Sequence, residues 1–298
     1  MEATWQFIRL SRPLYLIGVA VIYALGGGIA HYLGAIIRWD LYWLGQLWVS
    51  LLQLAVVYLA QYFDPLADLA RLGRPVLAEE TGERWLPRRT AMAAALTCLA
   101  LLASFTAVLL TRFRLPAEGY LLMGLGFAGA FFYAVPPLRL KETGYGELAL
   151  AVLAGLLAPA FAFVLQEGAL HRLVAMSAFP LVALILAMCL AFELRSYLVD
   201  LRLGRRTLLV RLGWENGMLL HNLLVLAAFL LLVIARSLGY PWFAALAGLL
   251  AFPVGVFQIW QIQRIGAGNK PNWNLLTTGA LSLVGLQAYL VALAFWTN

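Results

Sequence analysis

Apolar stretches of roughly 18–23 residues recur nine times along the chain, near residues 13–33, 42–63, 90–111, 117–135, 146–165, 178–200, 216–236, 239–261 and 274–296. Each is long enough to cross the hydrocarbon layer of a bilayer as a helix. The segment around 237–239 leaves room only for a tight helical hairpin. The pattern predicts an all-α membrane protein of nine transmembrane helices. The first stretch follows Arg9 and Arg12 and can span by itself, so it reads as a first helix rather than a removable signal. Its Gly26-Gly27-Gly28 run predicts close helix packing.

Two polar stretches interrupt this pattern at helix mouths, where charge is costly and usually serves to bind something. One is FELRSYLVDLRLGRRTLLVRLG, residues 192–213, at the end of the sixth apolar segment. The other is QYFDPLADLARLGRPVL, residues 61–77, at the end of the second. With Asp68 set over Asp200 and one residue skipped, DLARLGRP matches DLRLGRRT, Asp64 falls opposite Ser196, and Gln61 opposite Glu193. The two stretches lie four helices apart on one side. That predicts a single domain over 1–298 in which helices 1–4 and 5–8 are a pseudo-repeat and helix 9 is an addition. Repeat interfaces are where membrane proteins tend to place ligands.

Composition and charge sharpen the class. The chain is 63% hydrophobic and only 12% charged, well below the quarter expected of a soluble domain. The formal charge of +7 does not point to nucleic acid, because the basic residues cluster in loops. Of the 21 Lys and Arg, only Arg38, Arg112, Arg114, Arg172 and Arg236 lie on the side away from the N-terminus. The bias places the N-terminus and the basic loops in the cytoplasm and the C-terminus outside. Only Asp40, Glu118 and Glu167 of the 14 acidic residues lie outside, so the cytoplasmic mouth holds both signs of charge. Cys98 and Cys189 sit inside apolar runs, and the three histidines have no ligand spacing, so neither type suggests a metal site.

The acidic residues at the two mouths have helical spacing. Asp64 and Asp68 are i and i+4, and Glu193 and Asp200 are i and i+7 with Ser196 between them. Pro65 predicts a kink or a helix start just after Asp64. Four facing carboxylates repel unless cations bridge them, and an all-oxygen ligand set favours Mg²⁺ shared with a substrate phosphate. Arg71, Arg74, Arg139, Lys141, Arg202, Arg205 and Arg206 supply partners for phosphate oxygens. The residues therefore point to an amphiphilic diphosphate, its head at the cytoplasmic rim and its tail between helices. Gln61 and Ser196 read equally as polar lining or as helix–helix hydrogen bonds. Glu147 reads as a cap or pair at the start of helix 5.

Four separated motifs, in order, resemble the UbiA superfamily of intramembrane prenyltransferases. The second aspartate motif is matched by Glu193, Ser196, Asp200, Gly204, Thr207 and Leu208, and the first falls on Ala60, Gln61, Asp64 and Asp68, followed by Arg74-Pro75. Tyr133–Leu148, YAVPPLRLKETGYGEL, is similar to the loop after the family's fourth helix, and Arg12-Pro13 fits its first. Three positions depart from the motifs: Ala60 stands for an Asn, and Gln61 and Ser196 each stand for an Asp.

The resemblance implies a nine-helix UbiA-type bundle in the plasma membrane with its active site on the cytoplasmic side. It implies Mg²⁺-dependent transfer of a polyprenyl group from its diphosphate to an aromatic or other lipophilic acceptor. On this reading Asp64, Asp68 and Asp200 are catalytic, and with Glu193 they hold metal. Arg71, Arg74, Lys141 and Arg205 bind diphosphate, while Gln61, Tyr62, Tyr133, Ser196 and Tyr197 line the pocket, the tyrosines as cation-facing aromatics or as interfacial belt residues. The Tyr133–Leu148 loop looks closest to enzymes that prenylate 1,4-dihydroxy-2-naphthoate for menaquinone. An alternative is a catalytically impaired relative that binds prenyl lipids or partner enzymes. A transporter is suggested only by the membrane charges and the repeat, and the sequence shows no evident broken helix to support it.

Overall fold

Prolines and polar caps set the ends of the helices that the apolar runs predict. The described part of α1 covers Pro13–Tyr32, Pro87 precedes α3 (Arg88–Arg112), and Pro116 precedes α4 (Ala117–Ala134); a proline at a helix start loses no intrahelical bond. The structure, a computed structural model, describes residues 13–64 and 86–298. Within them, α2 covers Trp39–Tyr62 and α5 covers Gly146–Glu167, with a wider π turn over Leu153–Leu157. The His171 side chain accepts from Leu173 N to cap α6 (Arg172–Arg202), and Thr207 caps the short α7 (Leu208–Leu212). Then follow α8 (Trp214–Ser237), α9 (Trp242–Leu249), α10 (Phe252–Gly266) and α11 (Trp273–Thr297), the last capped by Asn272.

Eight of these rods are long and apolar enough to cross a membrane, counting α9 and α10 together. The protein is an all-helical, multi-pass membrane protein. α4 is an 18-residue rod of the same bundle that carries Glu118 in its first turn and is not among the eight.

Packing follows the small residues. Gly26 lets α1 close against the Pro159 carbonyl and Ala162 of α5, where any Cβ would collide. On the neighbouring faces Gly28 accommodates Trp296 of α11, whose indole Nε1 donates to the Ala24 carbonyl at 2.9 Å. α2 lies along α3, and α6 along α8 and α11. The glycine run thus does what its pattern predicts.

α2 stops at Tyr62, so Asp64 stands beyond its end, and the expected helical pairing with Asp68 lies outside the described residues. The cause is Pro65, since the residue before a proline avoids α geometry. The eighth span is broken: α9 ends at Leu249 and α10 begins at Phe252, with Pro253 unable to donate back into the preceding turn.

α6 is longer than its apolar run. Its 31 residues extend about 46 Å, against a hydrocarbon layer of about 30 Å. Its last three turns carry Glu193, Ser196 and Asp200 to one rim of the bundle.

Candidate active site

Three pieces of chain meet at that rim. Asp64 follows the end of α2; Lys141 lies on a 3-10 turn, Leu140–Glu142, between α4 and α5; Asp200 lies near the end of α6. Gly146 allows α5 to start directly on the Lys141 turn, because a Cβ there would fall 2.6 Å from Lys141 Cα. After α6, Gly204 takes φ +69° and reverses the chain, and Arg205 N donates to the Asp200 carbonyl at 3.0 Å. That turn aims Arg205 back across the site, while Arg202 and Arg206 stay exposed.

Arg205 joins the two halves. Its Nη2 lies 3.2 Å from both carboxylate oxygens of Asp64, and its Nη1 lies 3.4 Å from Asp200 Oδ1. Lys141 Nζ adds a third charge, 3.5 Å from Asp64 Oδ2. Ser196 Oγ donates to Asp200 Oδ2 at 2.6 Å. Asp64 and Asp200 are only 2% and 3% exposed. Buried carboxylates of this kind need paired cations, and here the pairing crosses the bundle. Arg139 pairs with Glu142 at 3.8 Å beside the cluster. Burial pushes the Glu142 carboxyl above its ordinary range, and the nearby Asp64 adds to this against the pull of Arg139, Lys141 and Arg205.

Glu193 faces elsewhere. Its Oε2 accepts from Leu209 N at 3.0 Å, and the buried Glu147 at the start of α5 is its near neighbour. It therefore ties α7 to α6. Among the described residues, no three acidic, histidine or cysteine side chains converge closely enough to hold a metal ion. Asp64 and Asp200 still present carboxylates to one shared cation position, now filled by the guanidinium. Two carboxylates plus substrate phosphates are an ordinary ligand set for Mg²⁺, so the residues fit that ion. Asp68, Arg71 and Arg74 lie outside the described residues.

A cleft runs from this cluster into the bundle between α1, α2, α4 and α5, with about 1130 Å³ of atom-free space when its open mouth is counted. Lys141, Gln61, Ala60, Tyr133 and Tyr15 stand at the charged end, and the walls below are almost wholly apolar. Tyr62 is not in the lining; it packs on Phe63 under the Arg88 guanidinium, and Tyr197 packs on Trp214. The sequence reading missed Gln53 and Trp48, which line the cleft with Gln61. A signal existed: residues 48–49, 52–53, 56–57 and 60–61 form a helical stripe, and both glutamines lie on it. The side-chain oxygens of Gln53 and Gln61 are buried without a hydrogen-bond partner.

The fold and the sequence have known counterparts. The model of the UbiA prenyltransferase family matches residues 20–279. A 1,4-dihydroxy-2-naphthoate octaprenyltransferase from Mycobacterium tuberculosis (strain ATCC 25618 / H37Rv) is 30% identical over 300 residues, covering 99% of each chain. A UbiA homologue from Archaeoglobus fulgidus bound to GPP and Mg²⁺ superposes with a TM-score of 0.70 at 17% identity, over 98% of this chain and 99% of that one. A digeranylgeranylglyceryl phosphate synthase superposes with a TM-score of 0.69 at 13% identity over 100% of both. At such identities the two structures bear on the fold alone. The family match and the full-length relative carry the rest: this chain belongs to the UbiA prenyltransferase family.

Proposed function

We propose that the protein transfers a polyprenyl group from its diphosphate to an aromatic, lipophilic acceptor of the 1,4-dihydroxy-2-naphthoate class, in lipoquinone synthesis of the menaquinone type. The observation that carries this is the continuity of one apolar cleft with a buried carboxylate–arginine–lysine cluster at its mouth. A prenyl diphosphate has that same division. The naphthoate octaprenyltransferase relative supports the acceptor, and the GPP- and Mg²⁺-bound structural neighbour supports the donor and the metal.

In this reading α4 is a ninth span, the N-terminus is cytoplasmic, and the site opens to the cytoplasmic face of the plasma membrane, as the distribution of Lys and Arg favours. The two mouths belong to the two copies of a duplicated four-helix unit.

Asp64 and Asp200 would hold Mg²⁺, with Asp68 as a further candidate; bound there, the ion neutralises charge on the diphosphate. Lys141 and Arg205 bind diphosphate oxygens, and Arg71 and Arg74 are assigned the same role from the motif. As the prenyl C1–O bond breaks, its electron pair leaves with the diphosphate, and these cations stabilise that charge. The acceptor carbon supplies the pair for the new C–C bond, and aromaticity returns as that carbon loses its proton or, where it bears the carboxylate, CO2. Tyr133 stands where its ring can face the allylic cation. The apolar walls keep water from capturing that cation.

The test is a reconstituted assay with radiolabelled prenyl diphosphate, a panel of aromatic acceptors, and Mg²⁺ or EDTA. Mg²⁺-dependent product is expected. No product from any pair, with an active relative as control, would sink the proposal. A second reading, a relative that binds prenyl lipid without transferring it, draws on Glu193, whose carboxylate is engaged by Leu209 N. Transfer by the unmodified protein removes it.

A further inference from the structure

The cleft has a floor, and one residue makes it. α2, α4 and α5 each contribute a lining stripe, and the members of those stripes furthest from Asp64 are Trp48, Leu122 and Phe161. All three are buried: Trp48 is 4% exposed, Phe161 2% and Leu122 7%. The Trp48 and Phe161 rings lie 5.2 Å apart. The indole is locked, because Nε1 donates to Thr106 Oγ1 on α3 at 2.8 Å. Its outer edge lies over Gly126 of α4, where even a Cβ would be in van der Waals contact at 3.5 Å. Behind it, Gly45 is filled by Tyr23 and Leu165. A ligand tail coming down from Lys141 therefore meets a ring that is held by a hydrogen bond and backed by packed side chains.

We infer that Trp48 is a specificity-determining residue that limits the length of the donor tail. The inference rests on the reading that this cleft holds the donor. From Gln61 to Trp48 the cleft follows α2 for about 20 Å, and an isoprene unit with its four chain bonds covers about 5 Å. Trp48 thus admits about four isoprene units and excludes a fifth. Truncating the indole leaves a void of indole size, room for about one more unit.

Two measurements on the full-length protein separate this inference from the reading beneath it. In the first, prenyl S-thiolodiphosphates of two to eight isoprene units are titrated against the protein in detergent, with thermal stabilisation as the readout. Wild type is expected to bind progressively tighter up to about four units and then fall off, and Trp48→Ala to move that limit out by about one unit. In the second, donors of three, four, five and eight units compete in one transfer assay. The five-to-three product ratio should rise at least about tenfold in Trp48→Ala, since even one methylene of misfit in an apolar pocket discriminates about tenfold. A product ratio does not depend on how much protein folded. If Trp48→Ala cannot be purified, Trp48→Phe and Thr106→Val, which frees the indole, should each shift the ratio the same way.

Equal use of four- and eight-unit donors by wild type, or an unchanged ratio in every variant, overturns the inference. A length-dependent limit that moves with Trp48, without product from any donor, leaves it standing and removes the transferase reading. No binding of any analogue overturns both.

Discussion

Arg205 Nη2 sits 3.2 Å from both oxygens of Asp64, a residue 141 positions away in the chain. The same guanidinium reaches Asp200, so one cation serves the mouths of α2 and α6 together. Replacing it with methionine leaves two buried carboxylates with a lost partner. Removing one member of a buried pair costs about 3 kcal/mol, and thermal unfolding in detergent should register a loss of that order. Adding Asp64→Asn to Arg205→Met should recover part of it. Activity should fall at least about a hundredfold, the usual effect of deleting a donor to a developing anion.

Lys141 is held at the cleft mouth by the close approach of Gly146. Lys141→Met should weaken donor binding about tenfold or more, read as KM for the prenyl diphosphate with the acceptor saturating. Lys141→Arg keeps the charge and should retain part of the affinity. Equal loss in both would show that the lysine acts through shape and not through charge.

The Ser196 hydroxyl donates to Asp200 at 2.6 Å where the family motif has an aspartate. Ser196→Ala should destabilise the protein by about 1.5 kcal/mol, the lower range for a hydrogen bond to a charged group. Ser196→Asp adds a like charge beside Asp200. It should lower the melting temperature without Mg²⁺ and raise the stabilisation that Mg²⁺ produces, measured by melting across a Mg²⁺ titration. No change in that stabilisation would count against Asp200 as a ligand.

Gln53 places an amide oxygen without a partner in an otherwise apolar cleft. If the cleft holds hydrocarbon, Gln53→Leu removes the cost of burying that group. Donor affinity should stay level or improve, as measured by the thiolodiphosphate titration. A loss of transfer with donor affinity intact would instead place the acceptor against Gln53.

Gly26 faces the Pro159 carbonyl with no space for a Cβ. Gly26→Ala should cost about 1–3 kcal/mol by overpacking, visible as a lower melting temperature.

The sequence by itself located eight of its nine expected spans, because crossing hydrocarbon demands a minimum apolar length with every backbone group satisfied internally. The expected segments 13–33 and 274–296 are observed as Pro13–Tyr32 and Trp273–Thr297. It also marked the rim chemistry, since carboxylates and arginines at helix mouths stand out against 63% hydrophobic residues. Even the departure of Asp64 from α2 was legible in Pro65. Only the tertiary structure chose among Arg202, Arg205 and Arg206, because a turn at Gly204 decides which one faces inward. Only packing set Glu193 against Glu147 and Leu209, and Trp48 against Phe161 and Thr106. Spacing along a chain reports which face of one helix a residue occupies. Partners on other helices are fixed by how the helices pack, which no local period records.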